Sequence, residues 1–225
     1  AAGLAAAAGV IAAGSDGTPE RRVLLALLAG AWGLRLAIYL FVDRVRRGEE
    51  DGRYRRLREF WGARASVNFF LFFQAQALFI VGFAVPFVGV AANPVPGLGP
   101  WDWLAIVVWT VAVAGEWMAD RQLARFRADP ANRGKTCRTG LWRVSRHPNY
   151  FFEWVHWWAY VLLAAGSPLW GLTLLGPGLM LLFLFKVTGI PHTEQQALAS
   201  RGEDYRRYQQ TTSAFFPWFP REAAR

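Results

Sequence analysis

The sequence predicts an all-helical protein of the membrane, a polytopic bundle of about six to seven transmembrane helices with cytosolic loops, forming a single membrane-embedded domain over residues 1–225. Three observations carry that prediction. Apolar residues come in blocks of about 20, enough for a helix to cross the hydrocarbon core of a bilayer. Hydrophobic residues make up 54% of the chain, with 12 Trp and 17 Phe, while the formal charge is still +9. The basic residues fall in alternate connections between the apolar blocks, which excludes a nucleic-acid binder despite a pI near 10.5.

Each element follows in chain order. Residues 1–13 are apolar and read as the remainder of a longer first span; Ala12-Ala13-Gly14-Ser15 resembles a signal-peptide cleavage site, but no basic segment precedes it. The next span is expected over 21–42, where Arg35, with Tyr39 one turn on, is expected to pair with Asp43 or a lipid headgroup. Residues 43–64 carry eight Arg, interleaved with Tyr54, Leu57, Phe60 and Trp61 at spacings that suit an interfacial helix. A span over 66–90 contains Asn68, Gln74 and Gln76, whose amides either bond between helices or line a substrate cavity. The span 101–120 ends in Glu116 and Asp120, four apart and therefore on one helix face. A last hairpin is expected over 149–166 and 168–190, broken at Ser167-Pro168.

Charge orients these spans. Between Arg121 and Arg146 lie eight Lys or Arg, whereas 91–100 and 164–171 have none. The positive-inside rule then places 43–64, 121–148 and the 191–225 tail in the cytoplasm, giving six spans with both ends inside. Arg21 and Arg22, at an outer edge, run against this assignment.

Chemistry concentrates in Ser145-Arg146-His147-Pro148-Asn149-Tyr150-Phe151-Phe152-Glu153-Trp154-Val155-His156, a run that places ionisable groups in an aromatic segment reading as membrane helix. Such groups cost a few kcal/mol at membrane depth and mark functional sites by default. Upstream, Arg125, Arg127, Arg133 and Lys135 could hold an anion, since Arg forks suit a pyrophosphate or 2′-phosphate; ordinary positive-inside charge is the plainer explanation. A phosphate held there would leave the rest of a nucleotide near Asn149 and Glu153, which could grip a carboxamide. The lone Cys137 and three His give no metal-ligand spacing, so no metal is expected. In the tail, Thr193 to Leu198 and Tyr205-x-x-Tyr208 suggest an amphipathic helix acting as a lid or a surface anchor, with Trp218 and Phe219 at the interface.

The stretch Asp120–Glu153, with Glu194, Glu203-Asp204-Tyr205-Arg206-Arg207-Tyr208 and Thr212-Ser213-Ala214-Phe215-Phe216-Pro217, resembles the steroid 5-alpha-reductase-like superfamily, specifically its uncharacterised bacterial membrane branch (DUF1295). The resemblance implies an NADPH-dependent reductase of an activated carbon-carbon double bond in a lipid-like substrate. It implies that Asp120, Arg127 and Lys135 help hold the dinucleotide, that Asn149 and Glu153 hold its nicotinamide end, and that Glu194 and Tyr205 complete the pocket. Arg146, His147, Tyr150 and Tyr208 belong to the same motifs and are expected beside the cofactor. Phe152 stands where the reductases have Gly, and the substrate-facing acid and tyrosine have no clear match in the first half. Candidate proton donors or carbonyl partners are Glu116, His156, Gln74 and Gln76, with a satisfied structural histidine as the alternative role for His156. Arg146-His147-Pro148-x-Tyr150 also resembles the signature of isoprenylcysteine and phospholipid methyltransferases, which use S-adenosylmethionine. A non-catalytic membrane protein is the third reading. The expected partners are the bilayer and a hydrophobic small molecule, and the expected place is a bacterial inner membrane with the cofactor site in the cytoplasm.

Overall fold

A computed structural model describes residues 1–41, 52–187 and 189–221. Asp43 and the first part of the 43–64 connection, with their predicted pairing to Arg35, lie outside the described residues. The described residues contain helices and turns and no strand. Two compact units divide the chain: Ala1–Leu98 with Leu163–Leu175, and Gly99–Leu162 with Gly176–Arg225.

The first unit begins with α1 (Ala2–Gly14) and α2 (Pro19–Leu40). These helices approach closely because their facing residues are small: a Cβ added at Gly33 would lie 2.8 Å from the Ala5 Cβ. Pro19 opens α2, where its missing N–H costs nothing and its fixed φ suits a helix. Arg22, expected to weigh against the topology, is bound instead to the end of α1, with Nη2 donating to the Ala13 carbonyl at 2.8 Å and Nε to that of Ala12. Arg21 is buried and donates to the carbonyl of Val95. Both charges satisfy carbonyls at helix and loop ends.

Next come the basic helix α3 (Gly52–Trp61) and the long apolar helix α4 (Ala65–Ala91). Asn93, fully buried, closes the loop after α4: its amide donates to the carbonyls of Leu163 (3.2 Å) and Ala165 (3.0 Å), and its Oδ1 accepts from the Val95 N–H. Gly89 allows α4 to meet the turn after Leu163, since a Cβ there would stand 2.9 Å from the Leu169 carbonyl oxygen.

In the second unit, α5 (Pro100–Ala128) starts with the Asp102 carboxylate accepting the Gly99 N–H at 2.7 Å. Its 29 residues extend roughly 43 Å, more than the hydrocarbon core requires, which leaves length for its Arg-bearing last turns to lie outside the apolar layer. Two short 3-10 turns lead to α6 (Pro148–Leu163). After the connection, α7 (Leu175–Leu182) loosens into a π-helical turn at Phe183–Val187, and α8 (Ile190–Thr211) bends at Gly202, whose φ is +50°. The second arm of the expected hairpin is therefore not one continuous α-helix; Gly176, Pro177 and Gly178 are poor helix formers, and Pro177 fits because it falls in the first turn of α7.

Among the described residues, three helical stretches contain a segment long and apolar enough to cross a membrane: Tyr54–Ala91, Pro100–Ala128 and Trp170–Thr211. Six spans were expected; helices form over the other apolar segments too, of which α1 and α6 are shorter, at 13 and 16 residues. Phe70, Leu78, Val81, Val107 and Val111 are more than half exposed, an apolar exterior that water would penalise and lipid accepts. The chain is a helical membrane protein.

Candidate functional site

Within the second unit, the tail is stitched to the segment before α6. The Arg146 N–H donates to the Ser213 carbonyl at 2.8 Å, and the Trp218 N–H to that of Val144 at 2.9 Å. The Ser145 hydroxyl donates to the Phe215 carbonyl at 2.8 Å. The ring of Phe215, 2% exposed, sits among Phe151, Trp154 and Phe185 at centroid distances of 5.3–5.9 Å. This aromatic cluster fixes where α6 and α8 begin.

Glu194, in the first turns of α8, is the hub of the polar cluster. Its Oε1 accepts from Arg146 Nε at 2.7 Å and lies 3.3 Å from His147 Nε2, while its Oε2 accepts from Gln209 Nε2 at 2.8 Å. Burial works to raise its carboxyl pKa, but the hydrogen bonds from His147, Arg146 and Gln209 and the Arg146 charge outweigh it and hold the group at about 2. Tyr205 donates weakly to the same oxygen at 3.5 Å; burial, and then the Glu194 charge, push its phenol up to about 12, so it stays protonated. Tyr208, raised by burial first, donates to the carbonyls of Trp142 and, at 3.1 Å, Ser145. Arg146 also caps the end of α8 through the carbonyls of Gln209 (3.0 Å) and Thr212 (2.6 Å). Arg146, His147, Glu194, Tyr205 and Tyr208, predicted together, are thus brought together, much of their hydrogen-bonding capacity directed at one another and at the backbone.

On the other side of the α6 start, Asn149 Nδ2 donates to Asp120 Oδ1 at 3.1 Å, joining α5 to α6 at two predicted residues. Tyr150 reaches Thr193 through its hydroxyl at 3.2 Å and stacks on His147, rings 5.3 Å apart and nearly parallel. Glu153 is partly buried one turn further along α6. Phe152, on the adjoining face, finds its room at Gly115: a Cβ there would fall 2.5 Å from the Phe152 ring. The glycine missing at 152 is in effect supplied by the facing helix. Glu116 is 7% exposed, one turn before Asp120. His156 is buried, with Nε2 2.9 Å from the Tyr160 hydroxyl. Gln74 and Gln76 lie on α4 in the first unit, and both are exposed.

Past the end of α5 the basic loop folds into a cavity of about 480 Å³ whose lining includes Arg127, Arg133, Lys135 and Arg201, with Asp129 as its acid. Asp129 Oδ1 is engaged by the Ala131 N–H at 2.9 Å, and the Asn132 amide donates to the Phe126 carbonyl at 3.0 Å, so the loop is shaped by its own hydrogen bonds. Burial lowers the pKa of Arg201, whose guanidinium sits 5.0 Å from the Tyr205 ring. Asp204 ties this end of α8 to the loop, accepting from the Thr136 N–H (2.7 Å) and Arg138 (2.8 Å); burial opposes its ionisation, but the Thr136 hydrogen bonds and the Arg138 and Arg201 charges hold its pKa below the usual carboxylate range.

Sequence reasoning missed Arg201, Gly115, Thr193 and Gln209. Gly115, Thr193 and Gln209 meet Phe152, Tyr150 and Glu194, all distant in sequence, and Arg201 joins a cavity lining that otherwise comes mostly from the end of α5 and the loop after it; only the charge of Arg201 beside Gly202 offered any signal.

No solved structure matches the chain. The uncharacterized protein C594.04c of Schizosaccharomyces pombe is 27% identical over 169 residues, which cover 65% of this chain and 49% of that protein. The chain thus spans about half the length of the curated relative it matches. The family described as protein of unknown function (DUF1295) matches residues 1–212. On that match, with the α5–α6 motif and the Glu194 cluster in place, the chain belongs to the DUF1295 family, within the steroid 5-alpha-reductase-like group.

Proposed function

We propose that the protein is an NADPH-dependent membrane reductase that saturates an activated carbon-carbon double bond in a sterol, isoprenoid or fatty-acyl substrate. The observation that carries this reading is the cavity lined by Arg127, Arg133, Lys135 and Arg201, set seven residues along α5, or about 10 Å of helix, from the Asp120–Asn149 pair. A dinucleotide needs cations at its phosphates and an amide-binding group at some distance from them. S-adenosylmethionine carries one carboxylate and no phosphate, so it makes less use of a cavity with four cationic side chains than a dinucleotide does.

Arg127, Arg133, Lys135 and Arg201 would hold the phosphates. Asn149, oriented by Asp120, and Glu153 would hold the carboxamide. When bound, the nicotinamide supplies a hydride to the electrophilic carbon of the alkene. Glu116 or the His156–Tyr160 pair, all on α5 and α6, would deliver the matching proton to the adjacent carbon or polarise the carbonyl. The Glu194 cluster positions rather than reacts: it holds α8 against the segment carrying Asn149.

Calorimetry on the detergent-purified chain tests this reading. NADPH is expected to bind, and S-adenosylmethionine not to. Lys135→Ala and Arg201→Ala should each weaken NADPH by roughly 10- to 100-fold, the worth of a charge-assisted hydrogen bond. Asn149→Ala should weaken NADPH and NADH alike. Binding of S-adenosylmethionine in place of NADPH moves the protein to the methyltransferases, and binding of neither leaves the polar motif a structural network.

A further inference from the structure

The basic helix α3 carries Arg55, Arg56 and Arg58, followed by Arg64, against the single acid Glu59 among its described side chains. Two of its aromatic residues, Tyr54 and Trp61, turn toward α4, while Phe60 is exposed. The Tyr54 ring lies 6.1–6.2 Å from Phe69, Phe72 and Phe73, and Trp61 meets Phe69 edge-on at 4.9 Å. Between the two helices is an open cavity of about 390 Å³ lined by Tyr54, Arg58, Ser66, Phe69 and Phe73. The Arg58 guanidinium is 5.3 Å from the Phe69 ring centre, so the cavity joins an aromatic wall to a cationic, hydroxyl-bearing rim.

The α4 surface beside the cavity is apolar and open, with Phe70 62% exposed, Leu71 58% and Phe73 49%, up to the exposed amides of Gln74 and Gln76. A guanidinium beside a hydroxyl, then aromatic rings, then an apolar stripe on a membrane helix matches an amphiphile with an anionic head and a hydrocarbon tail. A free phosphate would leave the aromatic wall unfilled. A zwitterionic lipid would bring an ammonium group into a cluster of arginines. We propose that the α3–α4 cavity binds an anionic phospholipid of the surrounding bilayer, its phosphate against Arg58 and Ser66 and its acyl chain along Phe69 and Phe73. This site lies in the first unit and does not depend on the cofactor assignment.

The test is native mass spectrometry of the full chain released from micelles containing equimolar phosphatidylglycerol and phosphatidylcholine, with circular dichroism to establish that each variant is folded. The wild-type chain should retain phosphatidylglycerol in preference to phosphatidylcholine by fivefold or more. Arg58→Gln should cut that preference about fivefold, the effect of one guanidinium near an anionic surface. Phe73→Ala should lower retention of both lipids together, and Arg206→Gln, on the exposed part of α8, should leave the ratio unchanged. Equal retention of the two lipids by the wild type overturns the proposal, as does an Arg206→Gln effect as large as that of Arg58→Gln.

Discussion

Glu194 illustrates how one carboxylate can set the geometry of a site it need not enter. Two cationic or potentially cationic groups and one amide converge on it, and each comes from a segment bearing other predicted site residues. Its pKa of about 2 lies below the ordinary carboxylate value, so its contribution to stability is complete above about pH 5 and is lost as pH falls toward 2. The Glu194 contribution to docking of the tail is therefore expected to be constant between pH 5 and 8 and to weaken only below about 4.5. Glu194→Gln removes the charge at all pH values and leaves Arg146 without its counterion. It should destabilise the tail by about 1.5–3 kcal/mol and abolish the acid transition, with limited proteolysis after Thr211 as the readout. A tail in Glu194→Gln as protected as in the wild type at pH 7 would rule out the hub role. Tyr205, held protonated by burial and by Glu194, remains a donor across the same range.

Between elements, the contact that most constrains the site is that of α5 with α6, where Gly115 receives the Phe152 ring and Asp120 meets Asn149 five residues on. A methyl group at 115 would stand 2.5 Å from the ring, well inside van der Waals contact, so Gly115→Ala must push α6 away or force Phe152 off its rotamer. Overpacking of this kind costs about 1–3 kcal/mol. Thermal unfolding in detergent should show that loss in Gly115→Ala, and the loss should shrink in a Phe152→Ala background, where the ring that the added methyl meets is gone. A single variant as stable as the wild type would mean that the two helices are not held where the structure places them. The pair also marks the limit of what the chain discloses in one dimension. Phe152 read as a departure because its partner is 37 positions away, and nothing in the spacing around Gly115 announces a ring above it. Asp120, Asn149 and the 145–153 motif were legible because polar residues in apolar helix are expensive and stand out. Arg201 was not, because one more arginine in a basic tail carries no pattern until the fold brings it to the rim of the cavity with Lys135.

For the whole molecule, the apolar blocks among the described residues were legible as helices because long apolar blocks leave few alternatives in lipid. The irregular second arm of the hairpin was less so, since the Gly176-Pro177-Gly178 stretch keeps the hydropathy of a span while weakening the helix. Orientation rests on charge, and the structure alters how that charge is counted. Arg21 and Arg22, the residues at odds with both ends lying inside, hold the carbonyls of Val95, Ala12 and Ala13, so their position follows from local hydrogen bonding and not from the membrane potential. With them set aside, the described basic residues other than Arg35 and Lys186 fall on the 52–64 and 121–146 connections and the tail, and the 91–100 connection has none. A Cys137→Ser background, which removes a thiol that is 2% exposed, allows the sidedness to be read directly. Arg133→Cys, on the exposed basic loop, is expected to react with a membrane-impermeant maleimide only after the cells are permeabilised. Leu98→Cys, 38% exposed in the uncharged connection, should react in intact cells. The opposite pattern would put the basic cavity outside the cell, where neither NADPH nor S-adenosylmethionine is available to it, and so would remove both enzymatic readings at once. Labelling of both positions from one side would instead mean that α5 does not cross the bilayer, although its 29 residues are sufficient to do so.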